Sequence, residues 1–149
     1  MIRIHKTRHF FSPQEKERIM AAIHQAERET SGEIRVHVES TSGGDPLARA
    51  KEVFNRLGMA RTALHNGVLI YLAVEDHKFA IIGDAGIDAV VPANFWEETK
   101  EAMGRQFREG HFAEGVCQGI LSAGDHLQKN FPCQADDVNE LPDEISEGY

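Results

Sequence analysis

Four acidic residues stand where a carboxylate could do chemistry: Glu39, Asp45, Asp84 and Asp88. Glu39 closes an alternating run, and Asp45 lies across Thr41-Ser42-Gly43-Gly44 from it. Asp84-Ala85-Gly86-Ile87-Asp88 carries two carboxylates at i and i+4 around a glycine. Hard divalent cations such as Ca2+ take several oxygen ligands, among them carboxylates and main-chain carbonyls. Glycine lets such carbonyls turn inward. The spacing is not that of an EF-hand, because the sixth position from Asp84 is Ala89 and the twelfth is Phe95. Helix chemistry explains the same residues without a metal. Asp45 before Pro46 suits an N-cap, and Asp84 and Asp88 suit a turn ahead of a helix. Both readings stand.

Other chemistries find less support. The eight histidines are scattered and no HExxH occurs. His37, between Arg35 and Glu39, reads as a surface or partly covered residue, and His65-Asn66 reads as a turn. Cys117 falls mid-helix with no base beside it and reads as a packed thiol. Gly119 to Gly124 has the wrong spacing for a nucleophile elbow. Neither a Walker A loop nor a GxGxxG stretch is present.

The elements that position these residues follow from periodicity. Ser12-Pro13-Gln14-Glu15 reads as a capping box opening a helix, with Ile19, Ile23 and Ala26 on one face and Gly32 past its end. Glu33 to Ser40 alternates, with Ile34, Val36 and Val38 on one side and Glu33, Arg35, His37 and Glu39 on the other. That is a strand with one apolar face. Asp45-Pro46 opens a second helix, striped by Leu47, Ala50, Phe54 and Leu57. Gly67 to Val74 is continuously apolar, as in a strand covered on both faces. A polar turn at 75–78 leads to Phe79–Ile82, making an antiparallel hairpin. A loop at 83–88 follows, then helices ending at Gly110 and near Asn130.

The order α-β-α-β-β-α-α contains one right-handed βαβ crossover. It predicts an α/β fold, a three-layer αβα sandwich around a small mixed sheet. On that topology, loops 40–45 and 83–88 leave opposite edges of the sheet. They meet only if the first strand pairs differently or the loops cross.

The chain has 149 residues, enough for one domain at 1–131, and its net charge is −8. Residues 132–149 hold six acidic and no basic side chains, which reads as a flexible acidic tail. An acidic chain is a poor partner for a phosphate backbone, so no nucleic acid is expected. The longest apolar run falls far short of a membrane span. The first residues lack the apolar core of a secretory signal. With two cysteines and no CxxC, a cytoplasmic monomer with free thiols is expected.

Several segments resemble the TPM-domain family, which includes the thylakoid-lumen acid phosphatase and photosystem II repair factor. They are Phe11-Ser12, Ser31-Gly32-Glu33-Ile34-Arg35-Val36, Asn66-Gly67-Val68-Leu69-Ile70, Ile82-Gly83-Asp84-Ala85-Gly86-Ile87 and the segment from Gly110 to Val116. The match spans about residues 10–130 and looks like a short stand-alone bacterial form. The resemblance implies an αβα sandwich and divalent-cation binding, with calcium typical and Mg2+ an alternative, in acidic loops at the sheet edge. It assigns Glu39, Asp45, Asp84 and Asp88 as metal ligands. Many relatives carry Asp where this chain has His65, which weakens the transfer of a catalytic acid there. The expected function is a calcium-binding module whose loops are ordered by metal and regulate an unknown protein partner. A metal-dependent acid phosphatase and a metal-independent assembly module are the alternatives.

Overall fold

The computed structural model describes residues 10–133 and 145–148. Helix α1 (Pro13–Glu29) begins at a capping box: the Ser12 hydroxyl accepts the Glu15 N–H at 3.1 Å, and the Glu15 carboxylate accepts the Ser12 N–H at 2.8 Å. Strand β1 (Glu33–Glu39) follows, then helix α2 (Pro46–Arg56) and a 3-10 turn (Met59–Arg61). Strands β2 (Gly67–Ala73) and β3 (Lys78–Gly83) form the hairpin. A one-turn helix α3 (Ala85–Asp88) comes next, followed by α4 (Glu97–Arg108) and α5 (Phe112–Leu127). A two-residue strand β4 (Ser146–Glu147) ends the described chain.

The sheet order is β3-β2-β1-β4. β1 runs parallel to β2, with Glu33 opposite Gly67 and Glu39 opposite Ala73. β3 is antiparallel to β2, and β4 is parallel to β1. Successive side chains on a strand point to opposite faces, so β2 serves two cores. Val68, Ile70 and Leu72 join Ile34, Val36 and Val38 against α1, α4 and α5. Leu69, Tyr71 and Ala73 pack with Ala50, Val53 and Phe54 of α2 and with Met59. Helices thus cover both faces of a mixed sheet, and the αβα sandwich expected from the sequence is the observed fold. No helix among the described residues is long and apolar enough to cross a membrane.

Two expectations need correction. The polar face of β1 is not solvated: Glu33, His37 and Glu39 are all buried. The acidic segment 132–149 is not wholly a free tail. Its residues 145–148 pair with β1, where the Gly148 N–H donates to the Val38 carbonyl at 2.7 Å and Lys16 meets Glu147 at 3.2 Å. The acidic residues Asp136, Asp137, Glu140, Asp143 and Glu144 lie outside the described residues.

Candidate functional site

The parallel pairing of β1 and β2 separates the four candidate ligands. Glu39 and Asp45 lie at the carboxyl end of β1. Asp84 lies at the other end, where its N–H donates to the Gly67 carbonyl at 2.9 Å. Six residue steps along β2 put about 20 Å between the two edges. The loops do not cross, and the four acids do not form one site.

At the first edge Glu39 is fully engaged. Arg49 of α2 grips it with Nε at 2.8 Å from Oε2 and Nη2 at 3.0 Å from Oε1. The Tyr71 hydroxyl of β2 also donates to Oε2, and His37 Nε2 lies 3.1 Å from Oε1. Burial alone would push the Glu39 carboxyl up, but the hydrogen bonds from His37, Arg49 and Tyr71 outweigh it and hold its pKa at about 2. Burial, and next the bond to Glu39, push the Tyr71 phenol well above its ordinary range. On its other side His37 Nδ1 lies 2.9 Å from the Ser146 hydroxyl, so both ring nitrogens are engaged. Gly148 closes over the group: a Cβ there would sit 3.1 Å from both Glu39 Oε1 and His37 Nε2. This carboxylate has no coordination position left for a cation.

Asp45 is the N-cap of α2, its Oδ1 accepting the Leu47 N–H at 3.2 Å. The loop before it is fastened by Asp76 in the β2–β3 turn, a residue that no local pattern singles out. Asp76 Oδ2 accepts the Ser42 N–H at 2.8 Å and the Thr41 hydroxyl at 2.9 Å. The Ser42 backbone bond, followed by the Thr41 bond, lowers the Asp76 pKa. Loop 41–44 is therefore held by a protein carboxylate.

At the second edge, segment 83–88 is a helical turn instead of the open loop expected. Asp84 is its N-cap, with Oδ1 accepting the Ala85 N–H at 2.7 Å, and the Asp88 N–H returns to the Asp84 carbonyl at 3.1 Å. Asp84 Oδ2 is buried and lacks a hydrogen-bond donor. His65 Nδ1 lies 3.5 Å from it, and the Asp84 side chain is 11% exposed. His65 adopts φ 50°, which brings the 64–65 backbone against the turn. Gly86 lies so close that a Cβ would fall 2.2 Å from the Leu64 carbonyl oxygen and 2.6 Å from that of His65. Asp88 is exposed one turn on. Asp84, Asp88 and the 64–65 carbonyls thus share one edge of the sheet, and the orphaned Asp84 oxygen makes this the part of the donor set that fits a hard cation. No group of three or more His, Cys, Asp or Glu side chains is assembled to hold a metal among the described residues.

The fold and this edge together define a class, a small αβα sandwich with a parallel β1–β2 pair and an acidic turn behind the hairpin. A profile described as TPM domain matches residues 4–126, and the chain belongs to that family. No curated protein matches the chain. Among solved structures it is similar to the NMR structure of BA42 protein from the psychrophilic bacterium Bizionia argentinensis, at 50% identity and TM-score 0.89, covering 93% of this chain and 96% of that one. The N-terminal domain of cg2496 protein from Corynebacterium glutamicum shares the fold at 16% identity and TM-score 0.63, covering 93% and 80%. The N-terminal domain of a P. gingivalis protein does so at 21% identity and TM-score 0.67, covering 83% and 80%.

Proposed function

We propose that this TPM domain is a divalent-cation-binding module, that calcium is its cation, and that the turn at 84–88 is the site. Asp84 Oδ2 carries the reading. A buried carboxylate oxygen without a donor is costly unless a cation or proton donor satisfies it, and here none of the described groups donates to it. Asp84 and Asp88 would supply carboxylates, and the Leu64 carbonyl a neutral oxygen, the ligand types calcium takes. Such a cation supplies positive charge to an edge that holds two carboxylates. The chain's own part is to hold Asp84 beneath the hairpin through the Gly67 carbonyl and to keep Gly86 against the 64–65 backbone. Ordering of this turn is the event that a protein partner would read.

Amide spectra of metal-stripped chain, recorded as calcium is added, test the reading. Shifts confined to residues 64–68 and 83–88 support it; amides that ignore millimolar calcium contradict it. A metal-independent interaction module is the second reading. It is favoured by the cap that Asp84 already makes to Ala85 and by its approach to His65. The phosphatase reading rests on family resemblance alone. It requires turnover of an aryl phosphate that is lost in Asp84→Asn.

A further inference from the structure

A cleft of about 540 Å³ opens at the carboxyl end of β2, between the start of β3 and the α4–α5 corner. Clefts of this size hold small organic ligands, and crevices beyond the carboxyl ends of parallel strands are frequent ligand sites. Its walls are aromatic. Phe79 meets Phe107 edge-on at 5.0 Å between centroids, and Phe107 stacks on Phe112 at 5.7 Å. Its charged lining is all of one kind, Lys78 and Arg108, with His77 beside them and no acidic side chain. That is unexpected in a chain of net charge −8.

Arg108 is placed over the cleft. A Cβ on Gly104, one helical turn earlier, would lie 3.4 Å from Arg108 Nη1 and 3.9 Å from Phe79 Cζ. The guanidinium therefore folds back along α4 toward the Phe79 ring, and Gly104 leaves the floor beneath it open. No ion pair engages Arg108 among the described residues. Lys78 acts on Asp76, whose carboxylate Ser42 and Thr41 already hold. An aromatic trough under an uncommitted guanidinium suits one chemistry, an apolar body ending in an anionic head. Arg binds a carboxylate through two parallel N–H bonds, which fixes orientation as well as charge.

We propose that this cleft binds a small amphipathic carboxylate, its hydrocarbon against Phe79, Phe107 and Phe112 and its head on Arg108 and Lys78. The site is independent of the cation reading, because Asp84 sits at the opposite end of β2.

Calorimetry and amide shifts of the full chain titrated with decanoate test it, with decanol and decyltrimethylammonium as neutral and cationic counterparts. Decanoate should bind saturably, perturb residues 72–79 and 104–112, and exceed decanol by about tenfold or more. Gly104→Leu should abolish binding by filling the floor. It replaces a helix-interior glycine with a better helix former, so circular dichroism should show the fold retained. Arg108→Glu should bring decanoate down to the level of decanol. No saturable decanoate binding, equal affinity for decanol, or undiminished binding in Gly104→Leu would each overturn the proposal.

Discussion

Arg49 grips Glu39 through two guanidinium nitrogens, at 2.8 and 3.0 Å, across ten residues of sequence. The pair joins α2 to the end of β1 over a buried carboxylate that also receives Tyr71 and His37. Removing one partner of a buried ion pair leaves the other charge uncompensated. Arg49→Met should therefore destabilise the fold by about 3 kcal/mol, read by urea unfolding. Tyr71→Phe removes one hydrogen bond to a charged acceptor and should cost about 1.5–3 kcal/mol.

The same cluster sets an acid dependence. The Glu39 pKa is lowered from 4.5 to about 2 in the folded chain. A depressed carboxylate contributes stability above its unfolded pKa and loses it as pH falls through the folded one. The stability gap between wild type and Glu39→Gln should be full above pH 4.5 and shrink steadily toward pH 2. A gap independent of pH across that window would contradict the assignment.

Gly86 has no room for a side chain, since its Cβ would fall 2.2 Å from a backbone oxygen. Backbone cannot swing aside as a flexible side chain can. Gly86→Ala should cost about 1–3 kcal/mol in thermal or urea unfolding, by the overpacking rule. It should also displace the Asp84 turn, visible as shifted amides at 83–88.

The C-terminal strand is a separate, weaker attachment. Gly148 packs on His37 and Glu39, and its N–H is bonded to Val38. Gly148→Val should undock residues 145–148 and speed exchange of the Gly148-position amide. Global stability should fall by only about 1 kcal/mol, because the strand pairs two residues and its Lys16–Glu147 bridge is partly exposed.

Much of the fold was legible because periodicity is a local property. Ser12 and Glu15 marked the first helix, the Ile34-Val36-Val38 alternation marked β1, and the unbroken run from Gly67 marked a strand buried on both faces. The opposite placement of the two acidic loops also followed from one crossover and one hairpin. The buried polar cluster was not legible. Arg49 and Tyr71 come from other elements, and alternation alone made Glu39 and His37 look solvated. The same blindness hid Asp76, whose partners Ser42 and Thr41 lie more than thirty residues away. β4 has two residues, too few for any periodic signal, and α3 is a single turn. Residue types singled out Asp84 and Asp88, and the structure places both on one helical turn. Only tertiary structure showed that Asp84 keeps one oxygen buried without a donor while Glu39 has none to spare.

Calorimetric titration of metal-stripped chain with calcium, with magnesium as the control, asks whether Asp84 holds a cation. Three proteins are compared: wild type, Asp84→Asn and Asp45→Asn, the last retaining a good N-cap at the opposite edge. Saturable binding is expected in wild type and Asp45→Asn, weakened by about tenfold or more in Asp84→Asn. Absence of binding at millimolar calcium, or an Asp84→Asn titration matching wild type, would contradict it.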